Sequence, residues 1–237
     1  MIETSKALFD LFFKYTHLPI GGKEIVCPYW MNDLKNEIYG PFGGKGTPEE
    51  IVQATEEEAT KNELELGDLT EDEIIQFMQE KKIGVDCSGF VFWMLDALDR
   101  EKGGNGIADD IPGSEGKYIK TRANVLMLTD PGIVAEIKSV DKAKPGDIVR
   151  LKGGKHILVV LSLHKTQEGE IERVEYAHSS DLTKIRGVHS GEIQILDEKK
   201  GLESQRWLEE TTNGENYGEV SFKADLGDGI RRLKIWS

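Results

Sequence analysis

The sequence predicts an α+β fold, with N-terminal helices packed on a curved antiparallel β-sheet, and two observations carry that reading. Before about residue 100, apolar residues recur at helical spacing behind recognisable N-caps, whereas from Asp147 onward the period falls to two or to short β-rich runs. Turns such as Lys152-Gly153-Gly154-Lys155 separate those runs, and helices segregated from strands mark an α+β rather than an alternating α/β chain. With 237 residues and no internal repeat, the expectation is one domain spanning 1–237, carrying a helical insertion at about 47–82.

Taken in order, residues 4–16 place Ala7, Leu8, Leu11 and Phe12 on one helical stripe. Thr47-Pro48-Glu49-Glu50 is a capping box with proline at the first helical position. Thr70-Glu71-Asp72-Glu73 is a second box, with Leu69 and Ile74 placed to staple it, so the insertion reads as two helices broken near Gly67. Asp86 then caps a helix that starts at Cys87 and carries Val91, Met94, Leu95 and Leu98 on its apolar face. Residues 101–117 hold five glycines and no periodicity, which predicts a surface loop. Strands are expected at 148–151, 156–163, 171–178, 193–196, 220–222 and 230–236.

Composition excludes several classes of function. The net charge of −13 repels nucleic-acid phosphates and anionic lipid, so neither is an expected partner. No apolar run approaches the ~20 residues of a membrane span. The opening MIETSKALFDLFFK lacks a basic lead and a small-residue cleavage site. A cytoplasmic protein is the expectation, with export by another route or a chain shortened at its start as alternatives. Two cysteines, Cys27 and Cys87, rule out a disulfide framework and a Cys-rich zinc site.

Cys87 is the residue whose setting suggests chemistry. A free thiol titrates near ~8.5, so little of it is thiolate at neutral pH. A helix N-terminus offers an anion at most ~2 kcal/mol, whereas lowering the thiol to about 6 requires roughly 3.4 kcal/mol. A histidine from elsewhere in the fold is therefore needed. His156 opens an apolar strand just after Lys144-Pro145-Gly146-Asp147 and a glycine turn, a rigid mount for a base. His178 ends the next strand on the face of Val174 and Tyr176, where it can orient the ring of His156. His17, His164 and His189 read as residues of element edges or loops. No helical histidine spacing supports a metal, so no metal or cofactor is expected. Cys27, in Val-Cys-Pro-Tyr-Trp, lacks a helix start and reads as structural.

These residues carry a resemblance. Gly84-Val85-Asp86-Cys87-Ser88-Gly89-Phe90-Val91 is similar to the nucleophile motif of the NlpC/P60 family of cell-wall cysteine peptidases, which are papain-like. Lys144-Pro145-Gly146-Asp147-Ile148-Val149 followed by His156-Ile157 resembles the second motif, and Gly229-Ile230-Arg231-Arg232-Leu233 the closing strand. Tyr39-Gly40-Pro41-Phe42-Gly43-Gly44 resembles the aromatic-glycine entry motif, and the order along the chain agrees.

The resemblance implies an acyl-enzyme hydrolase acting without metal on γ-D-glutamyl-diamino acid bonds of peptidoglycan stem peptides, its partners. By position it makes Cys87 the nucleophile, His156 the base and His178 the third member. Asp86, Ser88 and Tyr39 become substrate-binding residues, the first two holding the substrate's amino end. Three departures stand out. The helices of 47–82 separate the glycine pair from Cys87 and are expected to cover or narrow the cleft. His156 and His178 lie 22 residues apart, longer than is common. Tyr29 competes with Tyr39 for the aromatic role. Arg231 and Arg232 alternate on their strand, so at most one faces the cleft. The alternatives are an acyltransferase or deamidase on a non-wall substrate, and a catalytically silent binding module; the oligomeric state stays open.

Overall fold

In the computed structural model, residues 1–111 and 123–236 are described. Strand β1 (Ile2–Thr4) leads into helix α1 (Lys6–Thr16), which Ser5 caps by accepting from the Leu8 amide. A short hairpin of β2 (Leu18–Ile20) and β3 (Lys23–Ile25) follows. It turns through Gly21, whose φ is +59° and whose Cβ, were there one, would lie 2.6 Å from the Leu66 carbonyl oxygen. Both capping boxes form: Thr47 and Glu50 close the start of α2 (Pro48–Lys61), Thr70 and Glu73 that of α3 (Glu71–Glu80). A 3-10 turn at Leu66–Asp68 makes the break expected near Gly67. The two helices pack on β2 and β3 respectively.

Helix α4 (Cys87–Glu101) starts where its cap predicts, the Asp86 carboxylate accepting from the Gly89 amide. It is sunk deeply, with Phe90, Val91, Phe92, Met94 and Leu95 fully buried. The glycine-rich stretch after it forms a 3-10 turn at Ile107–Asp110. The part of the expected loop that covers 112–117 lies outside the described residues. A one-turn helix α5 (Val125–Leu128) and strand β4 (Val134–Ile137), neither anticipated, lead to the sheet.

The remaining strands are β5 (Ile148–Leu151), β6 (His156–Lys165), β7 (Ile171–Ser180), β8 (Gly187–Gln194), β9 (Arg206–Trp207) and β10 (Gly229–Leu233). They form an antiparallel sheet in the order β4-β10-β5-β6-β7-β8-β9, with β1 pairing to the far half of β6. The sheet is curved and flanked by helices, and β6 and β7 shift register twice, at Val160/Ser162 and His164/Lys165, as bulges do. The strand expected at 193–196 begins at Gly187 instead. The one expected at 220–222 is absent: Val220 and Ser221 end helix α6 (Tyr217–Ser221), which Asn216 caps, and Phe222 follows it.

Period-two alternation divides the sheet between two cores. Ile157, Val159, Leu161 and Ala177 face α4 and the N-terminal helices. Leu158, Val160, Val174 and Tyr176 face a second core closed by Ile193, Trp207 and Tyr217. No helix among the described residues is long and apolar enough to cross a membrane.

Candidate functional site

The segment before α4 is pinned from two sides. The Val85 amide donates to the Pro28 carbonyl at 3.1 Å, and the Asp86 amide donates to the Gly44 carbonyl at 2.9 Å. From the sheet, the Ser179 hydroxyl donates to the Val85 carbonyl at 2.7 Å. Gly89 lets α4 start this close to the Gly44 corner, since a Cβ there would stand 2.2 Å from the Gly44 oxygen. Cys87 is thereby fixed in the first turn of α4, beside the start of β6, where its sulfur meets the backbone N–H groups of Ser88 and Ile157. The second of these belongs to the residue that follows His156.

Cys87 lines a cleft of about 590 Å³ together with Asp86, Ser88, Lys45, Tyr29 and Lys155. Met31, Leu34 and Leu126, all exposed, form part of its wall. His156 is buried behind Lys155 and is not part of the lining. Tyr39 is 56% exposed and lies outside the lining, whereas Tyr29 is within it, so the aromatic residue of the cleft is Tyr29. No residue of α2 or α3 lines the cleft; the wall that 47–82 was expected to supply comes from residues 29–45 and 123–126. Neither Arg231 nor Arg232 lines it, and Arg232 instead pairs with Asp147 at 2.7 Å.

Asp86 and Ser88 are already occupied. The Lys45 ammonium, buried as deeply as they are, donates to Asp86 Oδ1 at 2.6 Å and to Ser88 Oγ at 2.7 Å. The Ser88 hydroxyl in turn donates to Asp86 Oδ1 at 2.9 Å. A buried carboxylate requires such a partner. The sequence reading passed over Lys45, although its place directly after the glycine pair was the available signal.

On the second-core face of the sheet, His156 Nε2 and His178 Nδ1 stand 2.9 Å apart. The His178 Nε2 atom lies 3.2 Å from Glu209 Oε1, and the hydroxyl of Tyr176 donates to the other oxygen of Glu209. A chain of polar contacts thus runs from His156 through His178 to Glu209. His189, expected at a loop or edge, is buried here instead: His178 and His189 are directly paired across β7 and β8. Sequence reasoning missed Glu209 entirely.

Burial governs the protonation of these groups. Loss of solvent, with the Asp86 carboxylate adding to it, pushes the Cys87 thiol up to about 12, against the opposing pull of Lys45 and two backbone amides. Burial works against the expected fall toward 6, a desolvation cost that a helix start and a histidine must overcome. Burial likewise holds His156 well below the ordinary imidazole range, with His178 and Lys152 acting in the same direction. Burial raises Glu209, yet its contacts with His178, His189 and Tyr176 outweigh it and hold the carboxyl well below its usual value. Cys27 is sealed in the core, its thiol pushed far up by burial.

Comparison with protein-family models, curated proteins and solved structures finds no match to this chain.

Proposed function

We propose that the chain is a papain-like cysteine hydrolase of the NlpC/P60 type, with Cys87 as nucleophile, His156 as base and His178 as the residue that orients it. The observation that carries this reading is the thiol on a helix start, lining a cleft, with the backbone amide of the residue after His156 acting on its sulfur. In the reaction, the Cys87 sulfur attacks an amide carbonyl while His156 takes the thiol proton. The oxyanion meets the Cys87 backbone N–H, left free by the helix start. His156 returns the proton to the leaving amine, and water then hydrolyses the thioester. For His156 to accept through Nδ1, its Nε2 carries hydrogen and donates to His178 Nδ1, while His178 Nε2–H points to Glu209.

The proposed substrates are peptidoglycan-derived peptides, cut at γ-D-glutamyl-diamino acid bonds. Digestion of purified fragments by the wild type and by Cys87→Ala, with the products identified by mass, tests this. Cleavage by the wild type alone is expected, and intact fragments in both digests refute the wall substrate.

One observation favours the second reading, a non-wall amide or acyl substrate. By position, Asp86 and Ser88 would hold the substrate's amino end, but the Lys45 ammonium already fills that place. A free amino end meets a like charge there, so the cleft favours a substrate whose corresponding end is acylated or uncharged.

A further inference from the structure

Three polar atoms behind the candidate site form a triangle that hydrogens on the two rings cannot satisfy. His178 Nε2 and His189 Nε2 are 2.9 Å apart, His189 Nε2 and Glu209 Oε1 2.6 Å, and His178 Nε2 and Glu209 Oε1 3.2 Å. If one ring nitrogen carries hydrogen, the other ring's lone pair faces the carboxylate or the donor reaches only one neighbour. If both carry hydrogen, two N–H groups oppose each other. If neither does, all three edges set lone pair against lone pair. Every placement of hydrogen on the two rings leaves an unfavourable edge in a site where burial makes such a contact costly. A cation at the centre satisfies all three edges at once.

The outer atoms of the same groups are held as those of metal ligands are. His189 Nδ1 donates to the Gly187 carbonyl at 3.0 Å, which leaves Nε2 as the lone-pair nitrogen of the neutral ring. His178 Nδ1 meets His156 Nε2 at 2.9 Å, and the Tyr176 hydroxyl holds the second oxygen of Glu209. Each of the three side chains thus has a partner that fixes its ring or carboxylate and its tautomer. Ligands at the ~2.0–2.1 Å typical of tetrahedral zinc stand about 3.3 Å from one another, so the edges of the triangle need to open by between about 0.1 and about 0.7 Å. Glu209 also lines a surface groove with Ser190, Gly191 and Glu192, which gives an ion a way in.

We infer that His178, His189 and Glu209 form a binding site for a divalent cation of the zinc class, two imidazoles and one carboxylate leaving a fourth position for water. Its consequence for the chemistry rests on the hydrolase reading above. A metal on His178 Nε2 obliges His178 Nδ1 to carry the hydrogen and donate it to His156 Nε2. Neutral His156 then holds its remaining hydrogen on Nδ1, the nitrogen that should accept from the thiol, so the bound ion silences the base.

The test uses the full chain stripped with a chelator, and the Cys87→Ala variant beside it to keep thiol binding out of the measurement. Titration with Zn2+ by calorimetry, and with Co2+ by visible absorption, should show one ion per chain in both proteins, with the intense bands of a tetrahedral cobalt site. His189→Gln and Glu209→Gln should each weaken binding more than about 100-fold, beyond the loss caused by removing an outer partner as in Tyr176→Phe. Circular dichroism identifies a variant that fails to fold, and Tyr176→Phe, which leaves all three ligands in place, then supplies the comparison. Absence of binding by the wild type, or affinity unchanged in the ligand variants, overturns the site. Binding does not require any substrate to be cleaved, so loss of the hydrolase reading leaves this result standing. If a substrate is cleaved, Zn2+ should inhibit and a chelator restore the rate; undiminished cleavage at saturating zinc overturns the silencing.

Discussion

The buried pair of Lys45 and Asp86 sets both the stability of the cleft floor and the electrostatics of the thiol, and two substitutions separate these effects. Both side chains are only 7% exposed. Lys45→Met removes the cation and leaves Asp86 buried without a counter-charge, a loss on the order of 3–5 kcal/mol. For a chain of this size each kcal/mol moves the midpoint by about 2–4 °C, so a fall of roughly 6–20 °C in thermal unfolding is expected. Asp86→Asn keeps a good helix cap and strands the ammonium instead, at a comparable loss. Lys45→Met/Asp86→Asn should lose clearly less than the sum of the two. The thiol responds with opposite signs. Asp86 raises it and Lys45 lowers it, so alkylation of Cys87 by iodoacetamide should slow in Lys45→Met and quicken in Asp86→Asn at the same pH. Additive stabilities, or labelling rates that shift in the same direction, refute the argument.

Three further outcomes are expected. Iodoacetamide should modify Cys87 and spare Cys27, with the Cys87 rate climbing about tenfold per pH unit from 7 toward 11 because the thiolate is scarce throughout that range; a plateau above about pH 6 reveals a preformed thiolate–imidazolium pair and refutes a neutral thiol. Glu209 is held below its ordinary 4.5, so by linkage its contribution is present above that value and is lost as pH falls through the folded-state titration; in metal-free protein, Glu209→Gln should make the acid limb of the stability curve shallower below about pH 5, and an unchanged limb counts against the pairing. Gly89→Ala should destabilise by about 1–3 kcal/mol, the clash with the Gly44 oxygen outweighing alanine's helical preference; equal or greater stability in urea denaturation shows that the corner relaxes.

The helices were legible because their signals are local. Thr47, Thr70 and Asp86 each bond to an amide three residues on, and no tertiary contact is needed to anticipate that. Strands β5 and β6 were legible for a similar reason, since burial on both faces leaves apolar runs, and β7 through the alternation of Val174 and Tyr176 with Arg173 and Glu175. Strand β8 was not, because Gly187, Ser190 and Gly191 dilute its pattern. Its glycines are there for packing: a Cβ on Gly191 would fall 2.5 Å from the Tyr176 hydroxyl. Starting β8 six residues late displaced His189 from its place opposite His178 and hid the triangle. Val220 and Phe222 read as a strand because alternation over three residues cannot distinguish it from one helical turn, and here the Asn216 cap decides the matter. Glu209 left no local signal in the sequence, and Lys45 only its place after the glycine pair. Each acts through partners 20 or more residues away, which only the fold brings within hydrogen-bond distance.

Burial of the thiol constrains how any reaction at Cys87 proceeds. With its titration near 12, thiolate formation ahead of attack at neutral pH costs on the order of 7 kcal/mol. A buried imidazole of depressed basicity does not recover that on its own. On the proposed hydrolase reading, proton transfer then has to accompany formation of the carbon–sulfur bond, as it does for a hydroxyl nucleophile, with a cation forming on His156 at that moment. Two charged side chains bear on that cation with opposite signs, Lys152 disfavouring it and Glu209 favouring it. Lys45 and Asp86 cancel beside the sulfur, whereas the carboxylate of Glu209 lies at the far end of the imidazole pair and attracts a positive charge on His156 through His178. A divalent ion in the triangle reverses that asymmetry, placing positive charge where the developing imidazolium needs negative. The two proposals thus share one electrostatic premise: the sign of the charge held behind His178 determines whether His156 accepts a proton.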